Sequence, residues 1–312
     1  MSRDLARRRF VPGSALQPLE TRCLMAASVT AEVLRADRQS AAVSERFWPK
    51  PIDQMGPGET YQGLTGGLYG AGSNVPPRSL LDAANAANAA IRPLSITGRP
   101  SSNGRIGVVA IGQSTTNQWF PYFQAKAAGN ARQLRRGLFF VNGGQDGRIS
   151  TTWAGTDTPW GVLSGRVGGG RNQVQVVFLD SAMIYGERYG SAQAEAGAYR
   201  RQLDTIIGRA KSFFPNLKLV YAFPFHWAGA ASADRAVTEP ASYAMQFGIQ
   251  ELVTKPSRKA PAVVWGPDIW SQTMNGGYYY DGVHFTSAGR AQMARVTWKF
   301  LREDFSSRWF WR

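Results

Sequence analysis

Five short apolar runs limit what this chain can fold into. IGVVAIG (106–112), LFFVNGG (138–144), VQVVFLD (174–180), LKLVYAFPF (217–225) and AVVWG (262–266) are nearly continuous in apolar residues rather than alternating. A strand with one wet face alternates, whereas an unbroken apolar run suits a strand covered on both faces, as in a parallel sheet. Helical patterns lie between and after these runs. The clearest are AQAEAGAYRRQLDTIIGRAKSFF (192–214) and SAGRAQMARVTWKFLRED (287–304). In the second, Met293, Val296, Phe300 and Leu301 share one face at helical spacing and predict a core stripe. The alternation predicts a three-layer α/β domain with a mainly parallel five-stranded sheet. Ligands of such sheets bind beyond the carboxyl ends of the strands.

The rest of the chain divides by composition. Residues 1–46 form a basic leader with no long apolar stretch, so they make a poor ordinary secretory signal. Within it, LQPLETRCLM resembles an N-terminal motif of many exported planctomycete proteins. That resemblance implies export or cell-envelope association; without it the expectation is a cytoplasmic protein with a disordered leader. Residues 47–105 are rich in Gly and Pro at first, FWPKPIDQMGPGETYQGLTGGLYGAGSNVPPRSL, and predict an extended segment laid over the core. A small-residue helix, LLDAANAANAA, follows from Leu80. Residues 106–304 are the α/β domain, and 305–312 are expected as a C-terminal tail.

Several function classes are disfavoured. No apolar run approaches the roughly eighteen residues of a membrane-spanning helix. Cys23 is the only cysteine and His226 and His284 the only histidines, so no internal disulfide, no cysteine-based zinc site and no histidine-rich metal centre is expected. No metal or organic cofactor is implied. The net charge is +15, which favours anionic partners such as an acidic polysaccharide, or else describes a solvated basic surface. The arginines are scattered, and no nucleic-acid-binding motif is present, so no nucleic acid is expected. GVLSGRVGGG (161–170) follows no apolar run and predicts a flexible turn rather than a dinucleotide site.

Residues able to carry chemistry fall at the strand ends. Ser114, in IGQSTTN, leaves the first strand and would stand at a helix N-terminus, where its amide could meet an anion. A helix-capping serine fits the same place. The second strand ends in NGGQDGRIS, whose Gly147 could present an N–H to a developing oxyanion, or serve only as a turn glycine. In DGVHFTSAG, Asp281 stands three residues before His284. An aspartate so placed can accept from one ring nitrogen and leave the other free to act as a base toward Ser114. Alone, such a pair also fits a structural loop contact.

Together, IGQS, NGGQDG and DGVHFTSAG, in this order over residues 105–304, resemble the SGNH (GDSL-like) hydrolase superfamily. DGVHFTSAG is the most specific of the three. The resemblance implies a flavodoxin-like α/β/α fold with Ser114 as nucleophile, His284 as general base, Asp281 as its orienter and Gly147 as an oxyanion donor beside the Ser114 amide. YQGLTGGLYGAGSN, IRPLSITGRPSSNGRIGVVAIGQS and VQVVFLD further look like an uncharacterised bacterial SGNH-like family in which a glycine-rich segment precedes the catalytic domain. There are two departures. Gln113 replaces the aspartate of GDS. More seriously, the asparagine expected after the third strand is missing: FLDSAMIYG puts Ala182 near its place. Gln145, Asn117, Ser181 and His226 are candidates to replace that donor. Asp180 could bind a sugar hydroxyl or repel an anionic substrate, and Gln113 and Trp227 are further substrate-binding candidates. Trp265 is expected in the core. Trp153, Trp227 and Trp270 fit either core or a sugar-stacking rim. The expected function is a serine esterase acting on O-acyl, chiefly acetyl, esters of carbohydrates. The alternatives are a carbohydrate- or envelope-binding protein with weak or no catalysis, and a lipolytic esterase.

Overall fold

The structure, a computed structural model, describes residues 50–183, 189–225, 241–256, 260–267, 269–270 and 276–312. A small antiparallel hairpin, β1 (Thr60–Tyr61) and β2 (Leu64–Thr65), precedes helix α1 (Arg78–Ala90). The core sheet is built from β3 (Ile106–Gly112), β4 (Leu138–Asn142), β5 (Val174–Asp180), β6 (Leu219–Ala222) and β7 (Ala262–Trp265). All pairings in it are parallel, in the order β4-β3-β5-β6-β7. That is the doubly wound flavodoxin-like order, with the first strand between the second and third. Every residue of β3, β5, β6 and β7 is buried, which is the physical meaning of their unbroken apolar runs.

Among the described residues, six further helices belong to the domain: α2 (Ser114–Gly129), α3 (Ser150–Gly155), α4 (Thr158–Val167), α5 (Ala192–Phe213), α6 (Ala241–Thr254) and α7 (Ser287–Glu303). Helices α2 and α7 pack on each other on one side of the sheet, and α5 and α6 pair with each other. In α7, Met293 and Leu301 are buried as the stripe required, while Val296 and Phe300 are half-buried against the same core.

Helix α4 overturns the expected turn over 161–170. Pro159, Trp160, Leu163 and Val167 fall on one buried face, while Gly161 and Gly165 lie on the exposed face. The glycines weaken the helix by about 1 kcal/mol each relative to alanine. Burial of Trp160 and Leu163 outweighs this, at roughly 1.5–3 kcal/mol per large apolar side chain.

The expected tail is core as well. Trp309 and Phe310 are buried, and the Trp309 indole donates to Tyr221 Oη at 3.0 Å. The glycine-rich segment lies against α6 and β7. Gln250 Nε2 donates to the carbonyls of Thr65 and Gly67 at 3.0 and 2.6 Å, and Trp265 Nε1 donates to Leu68 O at 3.0 Å. Tyr61 stacks on Tyr243, their ring centroids 3.9 Å apart. These contacts explain why almost every residue of α6 is buried. Among the described residues, no helix is long and apolar enough to cross a membrane.

Candidate active site

The site is assembled at the carboxyl ends of β3, β4 and β5 from the loops that follow β3 and β4 and from the loop that precedes α7. Gly112 ends β3, and Ser114 is the first residue of α2. Gly112 is obligatory: a Cβ there would sit 1.9 Å from Asp180 O and 2.0 Å from Thr116 Oγ1. The absence of a side chain lets β3 turn directly into the helix against the end of β5. The Trp153 indole donates to Gly112 O at 3.1 Å and braces the same turn. Ser114 is not the helix cap; Gln113 holds that position, and no side chain caps the helix.

The second loop follows β4. Asn142 Oδ1 accepts from the Gly144 amide at 3.0 Å, and its Nδ2 donates to Asn117 O and Oδ1, both at 3.1 Å. This ties the loop to the first turn of α2. Arg166 adds a donation to Gly144 O at 2.6 Å. Gly147 follows, exposed, with open space where a Cβ would be.

The third loop carries the histidine. Tyr279 and Phe285 form a bridge, the Tyr280 amide donates to His284 O at 3.0 Å, and the Thr286 amide donates to Tyr278 O at 2.9 Å. His284 thus sits on a tight, closed loop. Within it Asp281 Oδ1 accepts from the amides of Val283 at 2.9 Å and His284 at 2.6 Å. This is the local hydrogen bonding that makes aspartate a turn residue. Gly282 has φ +80, a left-handed conformation that glycine adopts without a steric penalty. Thr286 then caps α7 by accepting from the Gly289 amide at 3.1 Å.

These loops bring the three predicted residues into one relay. His284 Nδ1 lies 2.6 Å from Asp281 Oδ2, and His284 Nε2 lies 2.8 Å from Ser114 Oγ. With the ring proton on Nδ1 and donated to the carboxylate, Nε2 accepts from the serine hydroxyl. Burial works to raise the Asp281 carboxyl. The His284 amide, the His284 ring and the Val283 amide outweigh it and hold the group below its usual value. The orienting carboxylate therefore stays ionised at neutral pH.

Ser114 and Gly147 line one cavity of about 410 Å³ with His284. Among the described residues, no acceptor takes either the Ser114 or the Gly147 amide. The Ser114 N–H also stands at the positive end of a 16-residue helix. Ile149, Ala182, Phe225 and Val283 form an apolar wall.

Other sequence candidates fall elsewhere. Asp180 does not face the cavity. It is buried, its Oδ2 accepting from Trp119 Nε1 at 2.7 Å and Thr116 Oγ1 at 2.9 Å, so it anchors α2 from beneath and is not available to a sugar hydroxyl. Gln145 turns inward, donating to Pro159 O at 2.9 Å. Ser181 is buried, its hydroxyl has no partner among the described residues, and it is not among the described residues that line the cavity. Asn117 is engaged by Asn142 and by Asp146 Oδ1 at 3.1 Å. Trp153 and Trp270 are core residues, not rim residues, and Trp265 is buried as expected. His226 and Trp227 lie outside the described residues.

Gln113 borders the cavity, but its polar atoms are committed. Its Nε2 donates to Thr115 Oγ1 at 2.7 Å and its Oε1 accepts from the Ala182 amide at 2.9 Å. This clamps the end of β3 to the end of β5, and the Ala182 N–H, at the place of the missing asparagine, is thereby occupied.

Sequence reasoning missed Gln118 and Asp146. Gln118 Oε1 accepts from the Phe285 amide at 3.1 Å and holds the histidine loop to α2. Its signal was its spacing, four residues after Ser114, hence one turn along the same face. Tyr280 lies nearly parallel to the His284 ring, 5.8 Å between centroids, and is 61% exposed at the cavity.

Asp180 gives a pH test of this packing. Burial pushes its carboxyl up to about 6, against the lowering effect of the Trp119 and Thr116 hydrogen bonds. Below about pH 4 both folded and unfolded chains hold the proton. Between there and pH 6 the unfolded chain loses it first, so this group lowers stability as pH rises, by up to roughly 3 kcal/mol. Asp180→Asn removes that slope. The difference in unfolding free energy, variant minus wild type, should move in the variant's favour between pH 4 and 7. A difference independent of pH would contradict the raised value.

No family model matches this chain, and no curated protein matches it. Solved structures show a distant likeness. A lipase from a goat rumen metagenome aligns at 11% identity and a TM-score of 0.41, over 61% of this chain and 95% of its own. A putative acylhydrolase from Bacteroides fragilis aligns at 16% and 0.42, over 74% and 100%. An acetyl xylan esterase aligns at 13% and 0.43, over 62% and 98%. At these values the likeness carries no weight for activity, which has to be argued from the site itself.

Proposed function

We propose that this protein is a serine ester hydrolase of SGNH type. The observation that carries the reading is the unbroken relay from Asp281 Oδ2 through His284 to Ser114 Oγ, with contacts of 2.6 and 2.8 Å. Ser114 Oγ attacks the ester carbonyl as its proton passes to His284 Nε2. The carbonyl oxygen, now negative, is held by the amides of Ser114 and Gly147. On collapse the C–O bond to the alcohol breaks, and His284 returns the proton to the leaving oxygen. Water then attacks the acyl-enzyme with His284 again as base, releasing the acid and restoring Ser114.

The preferred substrate is an O-acetyl ester of a carbohydrate. Two features support it: a cavity of about 410 Å³, modest for a ligand site, and the exposed Tyr280 ring beside His284, which offers a face to a sugar. Release of p-nitrophenol from acetate, butyrate and octanoate esters tests the reading. The expected order is acetate above butyrate above octanoate. A rising order would instead support a lipolytic esterase, and no turnover at all by folded protein would overturn hydrolysis of simple esters. A second reading, a glycan-binding protein with weak catalysis, is favoured by one observation: the Ala182 amide is taken by Gln113, leaving two oxyanion donors. Losing one donor costs roughly a hundred- to thousandfold in rate.

A further inference from the structure

The described lining of the cavity carries a charge opposite to that of the whole protein. The chain has a net charge of +15, yet among the described lining residues there is no lysine or arginine. Asp146 stands there, next to the oxyanion glycine Gly147 and in the same cavity as Ser114. It is exposed, and Asn117 Nδ2 holds its Oδ1 at 3.1 Å. No described residue forms an ion pair with it. Asp281, the second carboxylate of the site, is already paired with His284. Asp146 thus adds an unneutralised negative charge at the place where a substrate's acyl and alcohol groups must pass.

Magnitudes decide which field a bound substrate feels. Exposed charges more than about 8 Å away are largely screened at physiological ionic strength. The scattered arginines then act on encounter, while the group inside the cavity acts on the bound ester. We propose that Asp146 is a specificity-determining residue that selects against anionic substrates and favours neutral or cationic alcohol halves. This inference rests on the ester-hydrolase reading of the site. It also turns the expected polymer from an acidic polysaccharide to a neutral or amine-bearing one, despite the overall basic charge.

Three acetate esters differing in charge at one position test it: 3-acetoxybenzamide, 3-acetoxybenzoate and 3-acetoxy-N,N,N-trimethylanilinium. Intrinsic reactivity differs among them but cancels when each kcat/KM ratio is compared between wild type and Asp146→Asn. The asparagine keeps an oxygen able to accept from Asn117, so the loop retains its tie. The expected result is that the preference for neutral over anionic ester shrinks about three- to tenfold in Asp146→Asn, the effect of one nearby charge in a partly solvated cleft. The preference for cationic over neutral ester should shrink in parallel, and Asp146→Glu should retain both. Added salt should reduce the wild-type ratios toward those of Asp146→Asn. Ratios unchanged in Asp146→Asn, with turnover present, would overturn the inference and leave the hydrolase reading standing. Absence of turnover of all three esters by wild type would overturn both together.

Discussion

Ser114→Ala should lower kcat/KM for a small acetate ester by roughly 10⁴- to 10⁶-fold, leaving only what oxyanion donors and binding provide. The size of the effect follows from the geometry. Ser114 Oγ is the only hydroxyl described on His284 Nε2, at 2.8 Å, so no neighbouring serine can inherit its role. The fold should not suffer. The side chain does not cap α2, and alanine is the best helix former. Unfolding midpoints should match wild type within the range of an ordinary surface change, about 0.5 kcal/mol. Activity remaining within tenfold of wild type, in a protein of unchanged stability, would show that another group attacks the ester.

Asp281→Asn has the second largest expected effect, a fall in kcat of about 10⁴-fold. Asp281 Oδ2 accepts the Nδ1 proton and so keeps Nε2 bare toward Ser114. An asparagine amide in that place donates instead. The imidazole then carries its proton on Nε2 and cannot take the serine proton. Asp281 Oδ1 also accepts two backbone amides, and asparagine can keep those bonds with its oxygen. The loop should therefore hold, and the loss should appear in kcat more than in KM. A variant that keeps more than about a tenth of wild-type kcat would remove the orienting role. Asp281→Ala is the harsher change, because the Val283 and His284 amides lose their acceptor as well.

Much of this was legible in the chain. The five apolar runs predict the five parallel strands because burial on both faces leaves no polar alternation to hide them. The D-x-x-H spacing predicts a contact that is local, closed within one tight loop, and so needs no knowledge of tertiary packing. What the chain concealed depends on which way a strand-end side chain points. Asp180 ends β5 in register with Gly112, two residues short of the level of Ser114, and its carboxylate is drawn under α2 by Thr116 and Trp119. Gln145 is drawn away by a carbonyl fourteen residues later, Pro159 O. Composition gave α4 the look of a turn because its glycines are counted without regard to face. The aromatic residues misled in the same way: Trp153 and Trp270 have the type of a sugar platform and the burial of a core. Gln113, a substrate-binding candidate by its place in the sequence, does not offer its amide to a ligand. It is the clamp that spends the Ala182 amide.

On the proposed reading, His284 and Asp281 make Ser114 a nucleophile. Labelling with a fluorophosphonate, which phosphonylates an activated serine and expels fluoride, tests it most directly. Intact mass followed by peptide mapping should show one adduct per chain, on Ser114, and none in His284→Ala treated alike. No adduct on the folded protein, or an adduct on another residue while Ser114 stays unmodified, would contradict it.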